Sequence, residues 1–142
     1  MIVLLLLVSL LPAETVARVT DGDTVVLTDG RRIRLYGIDA PETHQPYGPE
    51  ARAFLERLVR EKDITVTVRA RDLYGRTVAE LHYEKASVGE ALVRAGYAWW
   101  YRSLAKKEKA LERAEDEART KRAGLWADAA AISPWEWRKG KR

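Results

Sequence analysis

No cysteine occurs in the 142 residues, which excludes a disulfide framework, a thiolate metal site and a cysteine nucleophile. Any metal must therefore sit on oxygen or imidazole ligands. The apolar run Ile2 to Leu11 is about half of the roughly 20 residues that a bilayer span needs, so it is too short for a transmembrane helix. Internal repeats and low-complexity linkers are also lacking. Nor does one sign of charge dominate: 25 basic against 21 acidic side chains leave a net +4, which permits a polyanionic partner without requiring one.

Apolar residues make up 46% and charged residues 32%, the balance of a folded domain rather than a disordered chain. The length suits one domain with its own core. Residues 1–13 form an apolar leader with the length of a secretory h-region, and Pro12-Ala13 stands where cleavage could fall, although no Lys or Arg precedes the run. The expectation is a secreted or periplasmic protein with no stable membrane span. The competing reading keeps the run as a first element of the core. The body of the domain is expected over 14–127, followed by a Trp-rich basic tail over 128–142.

From Thr15 to Leu27 the residues favour strand, broken by Thr20-Asp21-Gly22-Asp23, and Asp29-Gly30 reads as a hairpin turn. Arg31 to Ile38 alternates, with Ile33 and Leu35 on one face and Arg32, Arg34 and Tyr36 on the other. Gly48-Pro49 opens a helix, and Ala51, Phe54, Leu55, Leu58 and Val59 recur on one side of it. Two further strands, from Ile64 to Arg71 and from Thr77 to Tyr83, flank the turn Asp72-Leu73-Tyr74-Gly75. Ser87 and Glu90 have capping-box spacing before a short helix ending at Gly96. The spacing predicts a last helix from Ser103 to Arg122, with Leu104, Leu111, Ala114 and Ala118 on its apolar stripe and its charges in solvent. Five strands with a helix between the third and fourth, and three helices in all, predict an α+β domain built on the five-stranded Greek-key barrel of the OB-fold.

Three stretches carry chemistry: Asp21-Gly22-Asp23-Thr24, Arg34-Leu35-Tyr36-Gly37-Ile38-Asp39-Ala40-Pro41-Glu42-Thr43 and Asp72-Leu73-Tyr74-Gly75-Arg76. Each alone is ordinary turn chemistry. Together they hold what phosphodiester hydrolysis needs. Two carboxylates with water and a phosphate oxygen can hold one hard divalent ion, and Asp23 and Asp39 are the candidates. A third carboxylate, Glu42, is free to deprotonate the attacking water. Arg34 and Arg76 supply guanidinium forks for the charge gathering on the phosphoryl oxygens.

These stretches resemble those of the staphylococcal nuclease family, in order, from about Thr15 to Trp126. The resemblance implies a Ca²⁺-dependent endonuclease acting on DNA and RNA and leaving 3′-phosphate ends, with one ion and Mg²⁺ the lesser alternative. It implies Asp23 and Asp39 as metal ligands, the Ala40 backbone carbonyl as a further one, and Asp21 as a carboxylate behind them. It makes Glu42 the general base, Arg34 and Arg76 the binders of the scissile phosphate, and Tyr74 a residue lining the nucleotide site. Ala40 stands where the best-known member has a threonine, and the segment between Glu42 and Gly48 is short, which removes much of a loop beside the site. Pro134-Trp135-Glu136-Trp137-Arg138 also resembles a tail of exported bacterial members.

The aromatic run Tyr97 to Tyr101 does not align cleanly with the family's base-packing tyrosines. Trp99, Trp100 and Tyr101 are nonetheless candidates for stacking on a base, Tyr101 foremost, with core packing expected of at least one of the tryptophans. Trp126, Trp135 and Trp137 are expected to pin the carboxyl-terminal segment on the barrel. His44 and His82 read as surface residues. Arg138, Lys139, Lys141 and Arg142 read as a solubilising tail, with non-specific phosphate contact as the alternative. The rival to the enzyme is a catalytically silent nucleic-acid or protein-binding module on the same barrel, and a tethered structural domain is a third reading. A silent module could lose any of Asp23, Arg34, Asp39, Glu42 or Arg76, and all five are present. A monomer is the default expectation.

Overall fold

The computed structural model describes residues 12–142. The leader expected over residues 1–13 lies outside them except for Pro12 and Ala13. Strands β1 (Ala13–Glu14), β2 (Val16–Asp21), β3 (Thr24–Leu27), β4 (Arg32–Leu35) and β5 (Ile38–Asp39) precede helix α1 (Gly48–Val59). Strands β6 (Ile64–Arg71), β7 (Thr77–Tyr83) and β8 (Ala86–Ser87) lead into helix α2 (Val88–Arg94). Strand β9 (Trp99–Trp100), helix α3 (Lys109–Thr120), a 3-10 turn (Gly124–Ala127) and helix α4 (Pro134–Arg138) complete the chain.

Pairing runs antiparallel from β2 to β3 to β4, then parallel from β4 to β7, and antiparallel from β7 to β6 and from β6 to β1. Strands β1 and β2 are separated only by Thr15. The first stretch of chain thus pairs with β6 at one end and with β3 at the other, and the sheet returns on itself. That is the α+β, OB-like architecture expected from the element order.

The alternation along β4 puts Ile33 and Leu35 in the core and leaves Arg34 partly exposed. Helix α1 buries Ala51, Leu55 and Val59, the i, i+4 and i+8 positions of its apolar stripe, and Phe54 and Leu58 pack beside them. Proline within its first turn costs nothing, because those amides have no intrahelical partner. Ser87 caps α2, its Oγ accepting from the Glu90 amide at 3.2 Å.

The expected strand from Arg31 to Ile38 is broken at Tyr36-Gly37. Gly37 has φ +78°, a conformation that costs an L side chain energy, and a Cβ there would meet Leu111 Cδ1 at 2.8 Å. The break re-aims the chain, so that β5 pairs with β9 and brings Asp39 opposite Trp99.

Helix α3 begins at Lys109 rather than Ser103. Residues 101–108 form turns instead: the Tyr101 carbonyl accepts from the Leu104 and Ala105 amides at 3.1 Å, and Trp100 Nε1 donates to the Ala105 carbonyl at 3.0 Å. Leu104 consequently leaves the expected stripe and is exposed, while Leu111, Ala114 and Ala118 are buried as expected. The charges of α3 are not all in solvent, because Glu115 is buried and accepts the Trp100 amide at 3.1 Å. Helix α4 and the 3-10 turn lie beyond the three helices read from the pattern. Among the described residues no helix is long and apolar enough to cross a membrane.

Candidate active site

Asp21 ends β2, and Asp23 follows in the tight connection to β3. The Asp23 amide donates to Asp21 Oδ1 at 3.1 Å, which folds the turn on itself. Gly22 between them lies so close to its neighbours that a Cβ would come within 2.7 Å of Ala40 Cβ and 2.8 Å of Ala51 Cβ. The turn is therefore pressed against both the start of α1 and the segment following β5. Asp23 is fixed at both oxygens: Oδ1 accepts from Thr24 Oγ1 at 3.1 Å, and Oδ2 accepts from the Ala40 amide at 2.8 Å.

Asp39 is 1% exposed and Asp23 7%. A buried carboxylate needs a counter-charge, and Arg34 reaches both, its Nη2 standing 3.3 Å from Asp23 Oδ2 and 3.3 Å from Asp39 Oδ1. Nη1 of Arg34 donates to the Leu35 carbonyl at 2.8 Å, which holds the guanidinium in place. Glu42 follows Pro41 in a segment stitched to Gln45, whose Oε1 accepts the Glu42 amide at 3.0 Å, and its own side chain is 43% exposed.

The hairpin between β6 and β7 brings Arg76 to the same cleft. Asp72 Oδ1 accepts the Tyr74 and Arg76 amides, each at 2.9 Å, and its Oδ2 accepts from Arg76 Nε at 2.6 Å. The guanidinium lies over the Tyr74 ring, 5.8 Å from its centroid. Tyr74 is itself well exposed at the hairpin tip. Asp21, Asp23, Arg34, Asp39, Ala40, Glu42, Tyr74, Arg76 and Tyr101 all line one cleft of about 400 Å³. Tyr101 is stacked on Trp135 with ring centroids 5.4 Å apart and planes 18° apart. Trp100 is buried in the core, whereas His44 is exposed away from the cleft lining.

Burial first, and the neighbouring Asp23 charge second, push the Asp21 carboxyl up from 3.8 to about 6. Burial also raises Asp39, against the opposing pull of the Arg138 hydrogen bond and the Arg34 charge. A cluster of crowded carboxylates in this condition favours the arrival of positive charge. Among the described residues no three His, Asp or Glu side chains close into a complete cage. The donor set nevertheless fits a hard divalent ion: Asp23 and Asp39 turn oxygens toward one common point at Arg34 Nη2, and such ions accept two carboxylates completed by water and phosphate.

One residue of this cleft was not anticipated as part of it. Arg138, from α4, donates from Nη2 to Asp39 Oδ2 at 2.7 Å and from Nη1 to Glu42 Oε1 at 2.7 Å and Asp39 Oδ1 at 3.2 Å. Of the basic tail, Arg138 is thus part of the cleft, while Lys139, Lys141 and Arg142 do not line it. The signal was present in Ser133-Pro134-Trp135-Glu136: Ser133 and Glu136 have capping-box spacing, with proline at the first helical position. The cap forms, Ser133 Oγ accepting the Glu136 amide at 3.4 Å and donating to Glu136 Oε2 at 2.9 Å.

With this geometry in view, the comparisons with known proteins are decisive for family. The model described as staphylococcal nuclease homologue matches residues 32–128. The chain belongs to the staphylococcal nuclease family. An "Uncharacterized endonuclease" of Escherichia coli O157:H7 is 42% identical over 130 residues, covering 89% of this chain and 84% of that protein. "Staphylococcal-like nuclease CAN1" of Arabidopsis thaliana is 44% identical over 117 residues, covering 82% of this chain. The chain spans only 36% of that plant protein's length. An "Uncharacterized endonuclease" of Haemophilus influenzae is 35% identical over 131 residues, covering 89% of this chain and 73% of that relative. The staphylococcal nuclease match includes Arg34, Asp39, Glu42 and Arg76, whereas Asp21 and Asp23 precede it and Arg138 follows it.

Proposed function

We propose that this chain is a metal-dependent endonuclease, a phosphodiesterase that hydrolyses DNA and RNA with little sequence specificity. The observation carrying this reading is the convergence of Asp23 and Asp39 on Arg34 Nη2, at 3.3 Å each, inside a cleft that also holds Glu42 and Arg76. Family membership and the names of the bacterial relatives support it.

In this reading Asp23, Asp39 and the Ala40 carbonyl hold one divalent ion, Ca²⁺ before Mg²⁺, with Asp21 behind them. When bound, such an ion supplies Lewis-acid polarisation of the phosphoryl oxygen. Glu42 removes a proton from the attacking water, whose oxygen bonds to phosphorus as the bond from phosphorus to the 5′ oxygen breaks. The leaving oxygen takes up a proton, and the 3′ side keeps the phosphate. Arg34 and Arg76 donate to the phosphoryl oxygens as charge builds on them, each interaction contributing roughly 1.5–3 kcal/mol. Enzymes lower barriers by about 8–23 kcal/mol, so base, ion and arginines must act together. Tyr74 and Tyr101 offer ring faces to the flanking nucleotides. Stacking is indifferent to base identity, which accounts for weak selectivity.

The test is cleavage of single-stranded DNA and of RNA by the purified chain with Ca²⁺, with chelator, and with Glu42→Ala. Activity that needs the ion, and falls by about 10²-fold or more without Glu42, is the expected result. Undiminished cleavage in chelator overturns the metal assignment, and no cleavage under any condition favours a silent binding module. Export by the apolar leader is part of the same proposal, and the mass of the mature protein in its host tests it.

A further inference from the structure

Helix α4 is only five residues long, yet its placement is fixed from several sides. Ser133 caps it, Gln45 Nε2 donates to the Ile132 carbonyl just before it at 2.6 Å, and Trp135 stacks on Tyr101 and meets the edge of Trp99 at 5.5 Å. Gln45 also holds the Glu42 amide, so the base segment and the tail share one anchor. Arg138 projects from this anchored turn into the cleft, with its side chain 44% exposed.

Its present partners are carboxylate oxygens, and two of them belong to Asp39. Those are the oxygens that a hard cation takes. A divalent ion on Asp39 competes with the guanidinium for these same oxygens, so cation binding loosens the hold of Asp39 on Arg138 within the cleft. Arg138 Nη1 also stands 2.7 Å from Glu42 Oε1. A water activated by that carboxylate lies about 3 Å from it, and the phosphorus under attack is the next atom along. The loosened fork therefore faces the place where the phosphodiester must come, and a planar guanidinium is suited to grip two of its oxygens at once.

Resting on the nuclease reading of the cleft, we propose that Arg138 is a third phosphate-contacting guanidinium. It exchanges the carboxylates of Asp39 and Glu42 for non-bridging oxygens of the scissile phosphodiester when cation and nucleic acid bind together. Arg34 bridges two aspartates and Arg76 pairs with Asp72, as Arg138 pairs with Asp39 and Glu42. Arg138 alone of the three is delivered from outside the barrel, by the carboxyl-terminal helix.

The experiment is equilibrium binding of a fluorescent single-stranded DNA oligonucleotide in saturating Ca²⁺, across a KCl series. The proteins are Glu42→Gln, which suppresses hydrolysis, and Glu42→Gln combined with Arg138→Gln or Arg138→Lys. Loss of one phosphate contact lowers the slope of log K against log salt by about 0.7, and affinity falls roughly ten- to a hundredfold. The lysine variant retains the slope and recovers part of the affinity. An unchanged slope and affinity in Arg138→Gln overturn the proposal. Calorimetric Ca²⁺ titration without DNA is the second arm: weaker Ca²⁺ binding in Arg138→Gln with an unchanged salt slope makes Arg138 a strut for Asp39, and likewise overturns it. If the parent Glu42→Gln protein shows no Ca²⁺-dependent DNA binding and the wild type cleaves nothing, the nuclease reading itself has failed. Circular dichroism melts of each variant separate these outcomes from unfolding.

Discussion

The buried carboxylate of Glu115 accepts the backbone N–H of Trp100 at 3.1 Å, tying α3 to the strand that pairs with the Asp39 strand. Its other oxygen faces Arg119 at 3.4 Å and Arg102 at 3.5 Å. Truncating it orphans a buried amide and releases two cations from their partner. Glu115→Ala is expected to cost about 2–4 kcal/mol of unfolding free energy, measured by urea denaturation. Glu115→Gln, which keeps the acceptor, should cost less. Equal losses in the two variants would show that the amide contact is not the main term.

Gly22 gives a second prediction, because the neighbours a side chain there would meet are the Cβ atoms of Ala40 and Ala51 rather than flexible tips. Gly22→Ala must push apart the Asp21-Asp23 turn, the segment after β5 and helix α1. The expected loss is about 1–3 kcal/mol together with impaired cleavage, since Asp23 is tied to the Ala40 amide across this same contact. Thermal melts and turnover measured side by side check it, and full activity in a folded variant would refute the coupling.

How much of this architecture the sequence disclosed depends on the range of the interaction. Helix α1 was legible because Ala51, Leu55 and Val59 repeat at the helical period after Gly48-Pro49, and all three are buried. The β6-β7 hairpin was legible from alternation and from Asp72 to Gly75. The false start of the last helix has a local cause that periodicity does not register: Trp100 Nε1 claims the Ala105 carbonyl and locks the intervening turn. The two-residue pairing of β5 with β9 is too short to carry any pattern. The three motif stretches were readable because they join strand ends to turns: Asp23 lies in the β2-β3 turn and Arg76 follows the β6-β7 turn, while Arg34 and Asp39 lie in β4 and β5. The contact of Arg138 with Glu42 crosses 96 positions, and nothing in local composition encodes it.

Asp21 makes stability depend on pH. Its carboxyl is raised from 3.8 to about 6 in the folded chain, chiefly by burial and then by Asp23, so between those values the folded state binds more protons than the unfolded one. Stability from this group is complete below the unfolded value and is lost as pH rises through about 6. Asp21→Asn keeps an acceptor for the Asp23 amide and removes the charge. It should therefore exceed the wild type in metal-free buffer at pH 7.5, by about 1–2 kcal/mol once partial exposure is allowed for, and match it at pH 3.5. Urea midpoints at the two pH values decide the matter, and a variant less stable than wild type at pH 7.5 would contradict the assignment.

Cation binding should relieve the same crowding. A ligand that binds only the folded state stabilises it by about 2.7 kcal/mol at a hundred times its dissociation constant, so Ca²⁺ should raise the melting temperature of the wild type. The increment should grow as pH rises from 5 to 7.5, because protons on Asp21, raised to about 6 in the folded chain, compete with the ion at the lower end of that range, and burial raises Asp39 in the same direction. Asp39→Ala, which removes the carboxylate that Arg34 and Arg138 both face, should abolish the increment. Asp72→Ala, whose carboxylate is engaged with Arg76 at the hairpin, should leave it intact while loosening Arg76 and slowing cleavage. A Ca²⁺ shift that survives Asp39→Ala unchanged would place the ion elsewhere on the protein and remove the basis for metal-assisted hydrolysis in this cleft.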